Sequence, residues 1–228
     1  MTGIDVAANL AAVQAAIAAA AKRAGRATDD VTLVAISKIH QSDRILPVLD
    51  AGHRIFGENR VQEAAAKWPA LKDRFAGIEL HLVGPLQTNK TRQALALFDV
   101  IETLDRPKLA RALAAEMARR QRATPCYIQI NTGEESSKAG VMPGEADDFI
   151  IHCRDELALP VVGLMCIPPI DEEPALHFAL LAETAKRHGL DCLSMGMSAD
   201  YETAVALGAS HVRIGTSIFG ERPPRETS

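Results

Sequence analysis

Eight short runs rich in β-branched and apolar residues alternate, along 228 residues, with alanine- and leucine-rich segments of helical period. That alternation confines the chain to α/β architectures. The strand-like runs lie at 32–37, 53–56, 79–83, 100–103, 127–130, 161–165, 193–195 and 211–214, with helical patterns at 44–51, 60–71, 90–97, 107–122, 145–156, 174–188 and 200–207. Ahead of them, Val6, Leu10, Val13 and Ile17 draw one apolar stripe on an extra N-terminal helix within residues 1–30. Setting that helix aside leaves about 25 residues per strand-helix unit, compact but sufficient for a barrel. The expected fold is a single-domain TIM-type (β/α)8 barrel over 1–228, with a loose tail at 222–228. A doubly wound sheet would usually carry a glycine-rich dinucleotide turn after its first strand; Ser37-Lys38 stands there instead.

Composition narrows the partners. With 25 Lys and Arg against 29 Asp and Glu the chain carries a formal charge of −4, and only 4% of its residues are aromatic. It lacks both the basic field and the stacking platforms that nucleic acid requires, and no nucleic-acid partner is expected. No apolar run approaches the length of a membrane span, and no membrane partner is expected either. The alanine-rich start has no leading Lys or Arg and is interrupted by Asp5, Asn9 and Gln14, so it reads as a helix rather than a signal sequence, and the protein is expected to be cytoplasmic. Cys126, Cys153, Cys166 and Cys192 form no CxxC pair and are expected to be buried thiols; the seven histidines are scattered, and no metal site is expected.

In β/α barrels the functional face is built where strands end, and several strand ends here are polar. Lys38 follows the first strand, where lost hydration would favour a free amine able to attack a carbonyl; snorkelling to water is the competing reading. Gly196-Met197-Ser198 follows the seventh strand and Gly215-Thr216-Ser217 the eighth, the two positions where barrels recurrently hold phosphate. Strand alternation puts Arg213 and Gly215 on one side, opposite Val212 and Ile214. Arg213 would meet either an internal acid such as Glu102 or an acceptor on a ligand ring. A lysine amine, a phosphate nest and an interior arginine together suit an aldehyde phosphate, which leaves open a class I aldolase-type barrel acting on a sugar phosphate. His81, inside a strand, reads as a core or rim histidine; Lys90, and Lys138 with Glu135, read equally as solvated loop charge or as points for an acidic or phosphorylated partner.

Seven ordered segments, VAISK (34–38), FGENRVQE (56–63), HLVGPLQTNK (81–90), QINTGEESSKAG (129–140), GLMCIP (163–168), LSMGMSADYETAVALGA (193–209) and VRIGTSIFGER (212–222), are spread along most of the chain. In these the sequence resembles the YggS/PROSC family of pyridoxal 5′-phosphate (PLP) homeostasis proteins, which look like the alanine racemase N-terminal domain standing alone. The resemblance implies that Lys38 forms a Schiff base with PLP and that Ser198, Gly215 and Thr216 bind its phosphate. It places Asn59 and Met197 near the cofactor and Arg213 at the pyridine nitrogen. An arginine there keeps the ring unprotonated and a poorer electron sink, restraining carbanion chemistry. It further implies a PLP-holding protein of vitamin B6 and amino-acid balance, with PLP-dependent apoenzymes as candidate partners, no defined turnover and a monomeric state. The alternative is a PLP enzyme with weak racemase or lyase activity. One departure stands out: after the lysine the family pattern is Thr-x-Pro, and here it is Ile39-His40-Gln41. His40 could approach the cofactor or face solvent, and the expectation is solvent.

Overall fold

The computed structural model describes residues 4–221; the tail expected at 222–228 lies outside the described residues. Its strands are β1 (Thr32–Ile36), β2 (Ile55–Glu58), β3 (Glu79–Leu82), β4 (Val100–Leu104), β5 (Cys126–Ile130), β6 (Val161–Cys166), β7 (Cys192–Ser194) and β8 (His211–Ile214). They pair in parallel and in chain order, and β8 returns to β1 to close the barrel, with Val34 opposite Arg213 and Ala35 opposite Ile214. The helices are α1 (Val6–Arg23), α2 (Ser42–Asp50), α3 (Val61–Arg74), α4 (Thr91–Leu97), α5 (Pro107–Arg120), α6 (Ala146–Ile151), α7 (Pro174–Arg187), α8 (Tyr201–Ala206) and α9 (Thr216–Phe219). This is the expected TIM-type barrel with its additional N-terminal helix.

Alternation along each strand divides the residues between two environments. Leu33, Ala35, Leu80, Leu82, Ile128, Leu164, Val212 and Ile214 enter the continuous core between sheet and helices. The opposite set fills the barrel: Val34, Ile36 and Val83 form one small cluster and Val100, Tyr127 and Met165 another. Buried polar residues, His81, Glu102, Ser194 and Arg213, occupy the same inward-facing positions.

The amphipathic stripe of α1 is buried as expected, and the helix packs against α2, α8 and α9. Asp5 caps it by accepting from Ala8 N at 2.9 Å. Asn9 Nδ2 donates to Ile218 O at 3.1 Å, and the Arg26 guanidinium reaches Val205 O at 2.9 Å and Ala209 O at 2.8 Å. Thus α1 braces the final βα unit. No helix among the described residues is long and apolar enough to cross a membrane.

Boundaries shift by one to three residues along the chain, and three departures from expectation have a visible cause. The second strand runs two residues later, because Arg54 is tied back to Leu49 O at 2.7 Å and Ala76 O at 3.1 Å while Glu58 is drawn into the barrel wall. The helix expected over 145–156 is α6 between a 3-10 turn and a wider π turn, His152–Glu156. The turn after β8 is a short helix, α9, too brief to show a period.

Candidate functional site

A cavity of about 300 Å³ opens where β1, β2, β3, β6, β7 and β8 end, and Lys38, Asn59, Met197, Ser198, Arg213, Gly215 and Thr216 all line it. These are the seven residues singled out from sequence, and the fold brings all of them to one pocket. Ile39, His40, Val83 and Ile167 add to the wall, and among the described residues no carboxylate does.

Lys38 follows β1, and the backbone around it is fixed from below. The Lys67 ammonium, buried on α3, donates to Ser37 O and to His40 O at 2.9 Å each and pairs with Glu58 at 2.8 Å. Ser37 Oγ donates to Glu58 Oε1 at 2.6 Å and Trp68 Nε1 to the same oxygen at 3.0 Å. Burial pushes the Glu58 carboxyl up, against the pull of Lys67. Ile39 stands at φ 66°, a left-handed conformation that β-branched residues rarely adopt, and its amide is held by the Glu63 carboxylate. His40, expected to face solvent, is half-buried: it lines the pocket and stacks on Phe219 with ring centroids 5.1 Å apart. Burial, then the neighbouring Arg44 and Lys67 charges, hold its imidazole below the usual range.

Opposite Lys38, two loops form a cradle. Gly196, at φ 94°, lies so close to α8 that a Cβ would sit 2.6 Å from the Ala204 Cβ. Asp200 closes the loop by accepting from Met197 N at 2.6 Å, and Arg213 N donates to Gly196 O at 2.9 Å. In α9 the first helical bonds run from Ile218 N and Phe219 N to Gly215 O, so the amides of Thr216 and Ser217 precede any intrahelical acceptor. With the hydroxyls of Ser198 and Thr216 these make a donor-rich end to the pocket.

The Arg213 side chain is 4% exposed. Its guanidinium donates to Ser194 Oγ at 2.8 Å and to Cys166 O at 2.7 Å. Ser194 Oγ donates in turn to Glu102 Oε2 at 2.6 Å, whose Oε1 lies 2.6 Å from His81 Nδ1, and His81 Nε2 lies 2.8 Å from Glu79 Oε1. Arg213 therefore meets Glu102 through a serine rather than directly, while remaining at the pocket wall. Burial alone would depress the His81 imidazole, but the two carboxylates outweigh it and raise it to about 9; burial would raise Glu102, but His81 and Arg213 bring it to about 2. An unbroken polar column thus crosses the barrel from the pocket to its opposite mouth.

Sequence reasoning missed Lys67, Trp68 and Glu58 as the platform under Lys38. The signal available was the Glu63/Lys67 spacing of four, which the 3.2 Å pair realises. Lys90 lies outside the pocket, in a neighbouring cleft. Lys138 pairs with Glu135 at 3.8 Å. Cys126, Cys153 and Cys166 are buried thiols, and Cys192 is half-buried.

Comparison with known proteins accords with this geometry. The family model described as alanine racemase, N-terminal domain, matches residues 8–223. The pyridoxal phosphate homeostasis protein of Escherichia coli is 38% identical over 96% of this chain and 97% of its own length, and that of Pseudomonas aeruginosa is 39% identical over 95% and 96%. Among solved structures, PipY of Synechococcus elongatus with PLP bound superposes with a TM-score of 0.81 at 33% identity, covering 95% of this chain and all of its own. An alanine racemase of Clostridium difficile shares the fold at 14% identity and TM-score 0.70, and this chain matches 57% of its length.

Proposed function

The chain belongs to the alanine racemase N-terminal domain family and, within it, to the pyridoxal phosphate homeostasis proteins, and we propose that its barrel-mouth pocket holds PLP as a Schiff base on Lys38. The observation that carries this reading is the convergence, in one cavity, of a strand-end lysine, a donor-rich cradle and an interior arginine. The residues suit the group. A cavity of about 300 Å³ is at the lower end of small-molecule sites, about 300–1,000 Å³. Ser198, Thr216 and the α9 amides would take the phosphate oxygens, and Gly215 lets the loop lie close against β1, since a Cβ there would sit 3.1 Å from Ile36 O. Arg213 would donate to the pyridine nitrogen, Asn59 and Met197 would flank the ring, and Lys38 would reach the aldehyde.

PLP supplies an electrophilic aldehyde and, when its ring nitrogen is protonated, an electron sink. The residues of this chain favour the first property over the second. Arg213 is kept cationic by its chemistry and oriented by Ser194 and Cys166 O, so it offers hydrogen-bond donors to the ring nitrogen and no transferable proton. We infer from this a holder of PLP that buffers the cofactor and passes it to apoenzymes, working as a cytoplasmic monomer without a defined turnover. His40 is the observation that favours a second reading. Its depressed imidazole is neutral near pH 7 and lines the pocket, where it could act as a weak base toward an amino acid.

Adding PLP to the purified protein and reducing with borohydride should fix a pyridoxyl group on Lys38, located by mass mapping. The imine absorption band should be absent in Lys38→Ala. A label scattered over surface lysines would overturn the assignment. Racemisation or deamination of an amino acid by wild type, lost in both Lys38→Ala and His40→Ala, would replace the holder by the enzyme.

A further inference from the structure

A second cavity, of about 640 Å³, adjoins the first and shares Asn59 with it. It is built from the loops after β2, β3 and β4, on the same face of the barrel, and its walls present Arg60, Lys90 and Arg106 with the carboxamides of Gln62 and Gln87. No carboxylate lines it. Arg106 is fixed by Leu86 O at 2.7 Å and paired with Asp105, which lies on its far side in a different cleft. Neither Arg60 nor Lys90 has a carboxylate partner among the described residues. In a chain of net charge −4, the charges of Arg60 and Lys90 meet no carboxylate inside the cleft, while that of Arg106 is balanced by Asp105.

Its place on the rim indicates what it would bind. Around the barrel the order is the phosphate cradle on β7 and β8, Lys38 on β1, Asn59 on β2, and then the cationic cleft over β2 to β4. A cofactor anchored by its phosphate in the cradle would present its aldehyde to Lys38, and the next sector of rim, sharing Asn59 with that pocket, would face the substituent of an incoming amine. Among primary amines that could meet an imine there, an α-amino acid presents a carboxylate within two bonds of its nitrogen. We propose that the Arg60/Lys90/Arg106 cleft is a carboxylate subsite that selects α-amino acids over other amines for exchange at Lys38. This rests on the reading of Lys38 as the PLP lysine. In the exchange the amino-acid nitrogen bonds to the imine carbon as that carbon's bond to Lys38 Nζ breaks. Two protons pass from the incoming ammonium to Lys38 Nζ, so the protonated imine is handed over and Lys38 leaves as its ammonium, and nothing is oxidised or reduced.

The test titrates PLP-loaded protein with alanine and with alaninamide, which keeps the amine and lacks the carboxylate, following the absorption band in low-salt buffer. The ratio of the two midpoints is compared between wild type and Arg60→Gln/Lys90→Gln, so that the intrinsic difference between the amines cancels. Losing charge-assisted contacts should move the ratio about tenfold against alanine, with the PLP band and the alaninamide titration unchanged. Added salt should erode the wild-type preference in the same direction. An unchanged ratio in the double variant overturns the subsite. If PLP gives no band on wild type, it is the Lys38 reading that fails. The subsite is then decided on the protein alone by the line width of carboxyl-labelled ¹³C alanine: broadening that disappears in the double variant supports it, and no difference between the two proteins overturns it.

Discussion

Arg213 keeps its direction because each of its neighbours is itself held: Ser194 accepts from the guanidinium and spends its own proton on Glu102, and His81 secures Glu102 from behind. The His81 imidazole, raised from 6.5 to about 9, is bound more tightly as a cation in the folded protein than in the unfolded chain. Its contribution is therefore complete below about pH 6.5 and is lost as pH rises through about 9, by at most roughly 3 kcal/mol. Urea midpoints should fall between about pH 7 and 10, and His81→Gln should remove that alkaline limb. Ile39 offers the opposite case, a residue held in the left-handed region with a side chain 41% exposed, so little packing is at stake. Ile39→Gly should relieve the strain and raise stability by about 0.5–1 kcal/mol, read as a melting temperature about 1–4 °C higher. Strand alternation made Arg213 and Gly215 legible as neighbours from sequence alone. Lys67 was illegible, since a lysine on a helix reads as solvated until carbonyls from a distant loop are seen to converge on it.

Among the elements, strands were the easiest to read, because β-branched runs bounded by turns carry their own signal, and the helices differ from expectation mainly at their ends. Failures came where tertiary contacts decided the outcome. β2 shifted because Glu58 is anchored from three sides, and α9, with four residues, has no periodicity to detect. The N-terminal helix was legible as an amphipathic stripe, yet nothing in the stripe said which element it would brace. The structure shows that α1 covers α8 and α9, the helices whose preceding loops form the donor-rich cradle. Leu10 is 2% exposed within that contact. Leu10→Ala should cost about 2–5 kcal/mol, measured by urea unfolding. Because α9 loses its support, PLP affinity should fall as well, whereas an equally destabilising core change on α5, Leu113→Ala, should leave affinity near the wild-type value.

At the scale of the molecule, the proposed site straddles the seam that closes the barrel. Lys38 ends β1, Arg213 lies in β8, and Gly215 and Thr216 follow it; the two strands, nearly 180 residues apart in sequence, pair from Thr32 opposite His211 to Ala35 opposite Ile214. The pocket exists only once the first and last units have met, so a ligand held there reports on global closure and binds the native state alone. Such a ligand stabilises by mass action, about 2.7 kcal/mol at a free concentration one hundred times its dissociation constant. For a chain of this size that corresponds to a melting temperature higher by about 5–10 °C. PLP should produce a shift of this order in wild type. In Lys38→Ala the cradle and Arg213 remain while the covalent anchor is gone, so at the same PLP concentration the shift should shrink without vanishing. In Thr216→Ala it should shrink by a different route, with the imine band still forming and washing out more readily. A shift of equal size in wild type and both variants would mean that PLP is held elsewhere, since the proposed site depends on both the Lys38 amine and the cradle at Thr216.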